Sequence, residues 1–122
     1  MKYIIINNNV FLIIDTCRGV MEYINSLYDD NISHNSISRR LREEGIIEFK
    51  ELVIHSCEDN MLQKYIIYNR ELKELYFVNN IRDIEEKINT ILGNSLSYTT
   101  ISRRLKEDTC MEYETLIIKE LI

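Results

Sequence analysis

The pentapeptide Ile37-Ser38-Arg39-Arg40-Leu41 returns 64 residues later as Ile101-Ser102-Arg103-Arg104-Leu105. Internal repetition constrains architecture more than any other pattern, because each copy must form the same supersecondary unit. The match continues outward at the same offset. Val20, Ile24 and Leu27 become Ile84, Ile88 and Ile91, and Arg42-Glu43 becomes Lys106-Glu107. Downstream, Phe49, Leu52, Val53 and Ile54 become Tyr113, Leu116, Ile117 and Ile118. Lys2-Tyr3-Ile4-Ile5 recurs as Lys64-Tyr65-Ile66-Ile67 at an offset of 62, so the second copy gains two residues soon afterwards. The chain therefore reads as two repeat units, 1–58 and 64–122, joined by residues 59–63. Each unit alone is near the lower size limit for a self-sufficient core, and the joining segment has neither Pro nor Gly. The units are expected to pack together.

Within a unit, Tyr3–Ile6 and Phe11–Ile14 are β-branched and aromatic runs separated by three asparagines, which tolerate the left-handed backbone of tight hairpins. In the second copy Tyr65–Tyr68 and Leu75–Val78 flank a longer, charged turn. Thr16 and Asn80 are candidate N-caps. After them Val20, Ile24, Leu27 and Tyr28 form a helical stripe, matched by Ile84, Ile88, Ile91 and Leu92. Ser33 and Ser97 stand in N-cap position for a short second helix, residues 35–43 and 99–107. Beyond it, 48–54 and 112–118 read as single strands. The expected fold class is α+β, with two pseudo-symmetric β-β-α-α-β repeats, six short strands and four helices in all.

On the second helix Ile37 and Leu41 lie one turn apart and face inward, which turns Arg39 outward with Ser38 and Arg42 beside it. The second copy turns Arg103, Ser102 and Lys106 outward in the same way. Arg can grip guanine bidentately or clamp a phosphate, and Ser or Thr can bond either. The plainer reading is a solvated face held by i, i+4 ion pairs: Arg39–Glu43, Arg40–Glu44, Arg103–Glu107 and Arg104–Asp108. Such pairs are worth about 0.3–0.5 kcal/mol each. Their order is the poorer one, however, with bases N-terminal and acids near the helix C-terminus, against the macrodipole.

The stretch Ser97-Tyr98-Thr99-Thr100-Ile101-Ser102-Arg103-Arg104-Leu105 resembles the recognition helix of helix-turn-helix repressors of the lactose-repressor type. Residues 81–88 resemble their supporting helix. The whole unit, hairpin included, is more similar to the nuclease-associated modular DNA-binding domains that recur in tandem beside homing-endonuclease catalytic domains. Those modules also place a strand pair before a helix-turn-helix and end in an extended segment. The resemblance implies DNA contacts from Tyr98, Thr99, Ser102 and Arg103, with Lys106 beside them. In the first copy the counterparts are His34, Asn35, Ser38 and Arg39, with Arg42 beside them. It is strongest over about a third of each unit.

Charge weighs on the other side. The chain carries 15 basic and 20 acidic side chains, a formal net charge of −5. Affinity for a polyanion depends on the local field and not on the total, so the decisive matter is whether the positive charges gather on one face. Acidity with a repeated recognition element supports a second reading. In it the chain is a small phage- or plasmid-encoded inhibitor that binds a host defence nuclease or other protein, with acids where phosphates would lie. Eight tyrosines suit such an interaction surface.

Other chemistry finds little support. Neither His34 nor His55 is repeated, and Glu43, Glu48, Glu107 and Glu112 recur without the context that would identify a carboxylate pair. There is no Walker or dinucleotide loop. Cys17, Cys57 and Cys110 are odd in number and lack paired spacing, so they read as reduced thiols in a cytoplasmic protein, with no metal and no cofactor. No apolar run approaches the roughly 20 residues of a membrane span. Richness in Ile and Asn, with no Pro or Trp, suits an AT-rich genome such as that of a Gram-positive bacterium or its phage. The expectation is a non-enzymatic binder of double-stranded DNA, for which a homodimer is also compatible with the sequence.

Overall fold

The computed structural model describes residues 1–8, 10–94 and 96–121. The chain forms two compact units, Met1–Met61 and Leu62–Ile122, so the boundary falls within the segment 59–63 that separates the repeats. Among the described residues the fold is α+β, with four helices and two four-stranded antiparallel sheets.

In the first unit β1 (Lys2–Asn7) and β2 (Val10–Ile14) form a hairpin. Two helices follow, α1 (Cys17–Tyr28) and α2 (His34–Glu44), then β3 (Ile46–Phe49) and β4 (Leu52–Cys57). The sheet order is β2-β1-β4-β3. The second unit repeats this plan with β5 (Tyr65–Asn69), β6 (Glu74–Val78), α3 (Ile81–Leu92), α4 (Tyr98–Glu107), β7 (Cys110–Tyr113) and β8 (Leu116–Glu120). Its order is β6-β5-β8-β7. The two extra residues of the second copy lie in the β5–β6 turn. Asn69 pairs with Glu74 there, where Asn7 pairs directly with Val10 in the first unit. Inside that longer turn the buried Asn69 side chain accepts from the Glu71 amide at 3.1 Å.

Each unit runs β-β-α-α-β-β, so the six strands expected from sequence are eight among the described residues. The apolar runs 48–54 and 112–118 each fold back into a hairpin. Phe49 pairs with Leu52 across Lys50-Glu51, and Tyr113 with Leu116 across Glu114-Thr115. Lys50 and Glu114 carry the reversal at φ +55°. Neither is the Gly or Asn that ordinarily marks such a turn.

The helices begin where the caps predict. Thr16 accepts from the Gly19 amide, Ser33 from Ser36, Asn80 from Asp83 and Ser97 from Thr100. Gly45 and Gly93 close α2 and α3 in the left-handed conformation, the ordinary helix stop. In the first unit the inward faces of α1 and α2 cover the sheet through Val20, Ile24, Ile37 and Leu41, packed on Ile5, Ile47, Leu52 and Ile54. The second unit reproduces the arrangement with Ile84, Ile88, Ile101 and Leu105 on Ile67, Met111, Leu116 and Ile118. Burying each such aliphatic side chain contributes about 1.5–3 kcal/mol, enough to fix the roll of both helices.

One member of the expected stripe departs from it. Leu27 is 46% exposed, because Tyr28 takes the inward place and meets the Phe49 ring edge-on at 5.6 Å. Among the described residues, no helix is long and apolar enough to cross a membrane.

Candidate nucleic-acid interface

Helices α2 and α4 each follow their partner helix after five residues, 29–33 and 93–97. That connection approaches the three- or four-residue turn of a helix-turn-helix. In the first unit it is clamped by Asn25. The Asn25 side-chain amide donates to the Ile32 carbonyl at 3.1 Å, while its oxygen accepts from the Ile32 amide at 2.9 Å. With Ile37 and Leu41 held in the core, Arg39 and Arg42 are exposed and Ser38 is partly exposed beside them. Ile101 and Leu105 hold α4 in the same roll, leaving Arg103 and Lys106 exposed next to a partly exposed Ser102.

The expected contact residues gather on each helix. Asn35, Ser38, Arg39 and Arg42 line a shallow depression of about 400 Å³ on α2, together with Ser33 and Ser36. Tyr98, Thr99, Ser102, Arg103 and Lys106 line one of about 290 Å³ on α4. Tyr98 is 47% exposed, an unusual position for a large aromatic side chain. His34, its counterpart, is only partly exposed and lies outside the lining of the α2 depression.

The four i, i+4 ion pairs that would make these helices self-neutralising are not formed among the described residues. The ion pairs there join the Met1 ammonium to Asp59, Lys2 to Asp15 and Arg70 to Glu112. Arg39, Arg42, Arg103 and Lys106 have no partner among the described residues. Their guanidinium and ammonium groups stand open on the outer helix face.

Three features lay outside the reach of sequence reasoning. Arg104 turns back, and its Nη2 donates to the Glu112 carbonyl at 2.8 Å, tying α4 to β7. Glu85 on α3 accepts from the Tyr98 amide at 2.9 Å, so a carboxylate occupies the first turn of α4. Met21 stands at the corresponding place in the first unit. No local pattern marks a contact that spans 13 residues of chain. Third, Arg70 in the β5–β6 turn bonds Glu112 at 3.0 Å and the Glu114 carbonyl at 2.9 Å, bracing both turns of that sheet end.

Comparison with family models, curated proteins and solved structures gives no match to this chain.

Proposed function

We propose that this chain is a non-enzymatic, cytoplasmic DNA-binding protein of phage or mobile-element type. Its two pseudo-symmetric repeats present α2 and α4 to double-stranded DNA. The observation that carries the reading is the set of outward cations, Arg39, Arg42, Arg103 and Lys106, which no acid among the described residues neutralises. Acids stand one turn away on both helices, and helices tuned for their own stability pair such charges. Here the positive groups remain available to an external anion, with hydroxyl and amide side chains beside them. Arg39 and Arg103 suit guanine O6 and N7 or a phosphate, while Asn35 suits adenine and Thr99 a thymine methyl. The short interhelical connection and the repeated Ser-capped helix add support.

The net charge of −5 favours the second reading, a protein-binding inhibitor that carries acids in place of phosphates. A fluorescence-anisotropy titration on labelled duplex DNA, at low and at physiological salt, separates the two. Binding that weakens steeply with salt supports the DNA reading. Absence of binding even at low salt overturns it and leaves the inhibitor as the better account.

A further inference from the structure

A second concavity, of about 430 Å³, opens in the first unit at the base of α2. Its floor is apolar, made by Tyr3 and Leu41. Ser38 and Arg42 stand at the end shared with the α2 depression, and Met1, Cys17, Gly45 and Ser56 line the remainder. Interaction with the neighbouring Cys17 thiol, together with burial, pushes Tyr3 up to about 12 and keeps it neutral. The Ser56 hydroxyl donates to the Gly45 carbonyl at 3.3 Å, leaving its oxygen able to accept. The Met1 ammonium also lines the space but is paired with Asp59 at 3.0 Å, which leaves Arg42 as the cation of the lining with no ion-pair partner among the described residues.

The repeat explains why this space exists. Cys17, Gly45 and Ser56 correspond to Ile81, Thr109 and Glu120, all bulkier. Glu120 faces Tyr65 across the sheet as Ser56 faces Tyr3, and it brings a carboxylate of its own. Tyr65 is buried at 4% exposure, while Tyr3 remains partly open. The first copy has small side chains where the second has filled the same register.

We propose that this concavity binds a small amphipathic carboxylate, its apolar body on Tyr3 and Leu41 and its carboxylate on Arg42 and Ser38, in competition with DNA. The volume exceeds what a bare inorganic anion needs and falls in the range of small-molecule sites. A single guanidinium matches one carboxylate in charge and in fork geometry. Only the competition rests on the DNA reading, since it follows from the sharing of Ser38 and Arg42. Occupancy of the site does not.

The test uses the full chain and 4-phenylbutyrate as probe, with 4-phenylbutanamide as its neutral counterpart, followed by amide chemical shifts. The acid at millimolar concentration is expected to shift Ser38, Arg42, Gly45 and Ser56 and to leave Ser102, Lys106, Thr109 and Glu120 in place. Arg42→Gln should weaken it about tenfold or more, the loss of one charge-assisted hydrogen bond. Cys17→Ile, which installs the second copy's residue, should abolish binding while the α2 amides keep their dispersion. No shift at millimolar acid, equal binding of acid and amide, or unchanged affinity in Arg42→Gln would each overturn the site. Saturating acid should also weaken duplex binding, and unchanged duplex affinity with the site occupied overturns the competition. A chain that binds no duplex at all refutes the DNA reading and the competition, leaving the site to be judged on the chemical shifts.

Discussion

Arg103 and Arg104 are adjacent in the repeated motif, yet their surroundings assign them opposite parts. Arg104 is partly buried and donates to the Glu112 carbonyl, whereas Arg103 is exposed beside Tyr98, Thr99 and Ser102. Arg104→Ala should lower unfolding free energy by about 1.5 kcal/mol, the low end of the range of about 1.5–3 kcal/mol for a hydrogen bond involving a charged group, because the bond is open to solvent. Arg103→Ala should stay within about 0.5 kcal/mol of the parent, as exposed substitutions do. Urea titration of both variants checks the contrast. Equal losses would mean that Arg103 also has a structural part. His55 on β4 gives a pH-dependent counterpart, since burial pushes its pKa down to about 4 from an ordinary 6.5. The folded state then resists protonation more than the unfolded chain does. Its stability is complete above about pH 6.5, falls as pH drops through the window down to about 4, and levels off below. Such a shift corresponds to at most about 3 kcal/mol. His55→Val should flatten this part of the stability profile, measured by urea midpoints across the same window. An unchanged slope would place the pH sensitivity elsewhere.

At the scale of elements, the two tight turns within 48–54 and 112–118 offer a direct test of the eight-strand arrangement. A non-glycine residue in left-handed backbone costs on the order of 1 kcal/mol. Part of that is recovered by glycine, whose own greater freedom in the unfolded chain opposes the gain. Glu114→Gly should therefore stabilise by about 0.5–1 kcal/mol, because the Arg70 bond to position 114 uses the backbone carbonyl and survives. Lys50→Gly should gain less, since it removes an ammonium placed 4.3 Å from the Tyr28 ring centroid, a contact worth about 0.5 kcal/mol. Melting temperatures of both variants decide the matter, and destabilisation by Glu114→Gly would refute the turn. These turns also mark where sequence reading stopped. Helices were legible because Thr16, Ser33, Asn80 and Ser97 announce them and because Ile and Val recur at helical spacing. The fourth strand of each unit was not, because Lys50-Glu51 and Glu114-Thr115 lack the residues that ordinarily announce a reversal. The only signal was a pair of polar residues interrupting each apolar run. The outward helix face was legible for the same reason as the core, since fixing Ile37, Leu41, Ile101 and Leu105 fixes everything opposite them. The Glu85 and Arg104 contacts were invisible because they join elements through space.

For the whole molecule, the contest lies between a net charge of −5 and two small sets of unneutralised cations. A net negative field slows the approach of a polyanion, but it is screened beyond a Debye length of roughly 8 Å at physiological salt. Contacts made inside that distance by Arg39, Arg42, Arg103 and Lys106 are much less diminished. As a hypothesis resting on these cations, Arg39→Ala and Arg103→Ala should each weaken duplex binding by about 1–3 kcal/mol if they read bases. Folding should hold, because neither side chain reaches the core. The double variant should lose more than either single one, since two linked modules gain affinity through effective concentration and removing both contacts forfeits that gain. If the arginines instead contact phosphates, the loss should be uniform across sequences and the salt dependence should become shallower with each substitution. Anisotropy titrations of the three variants at several salt concentrations, on two unrelated duplexes, distinguish base reading from phosphate gripping. Affinity unchanged in the double variant would remove these helices from the interface, and the net charge of −5 would then weigh for the protein-binding reading.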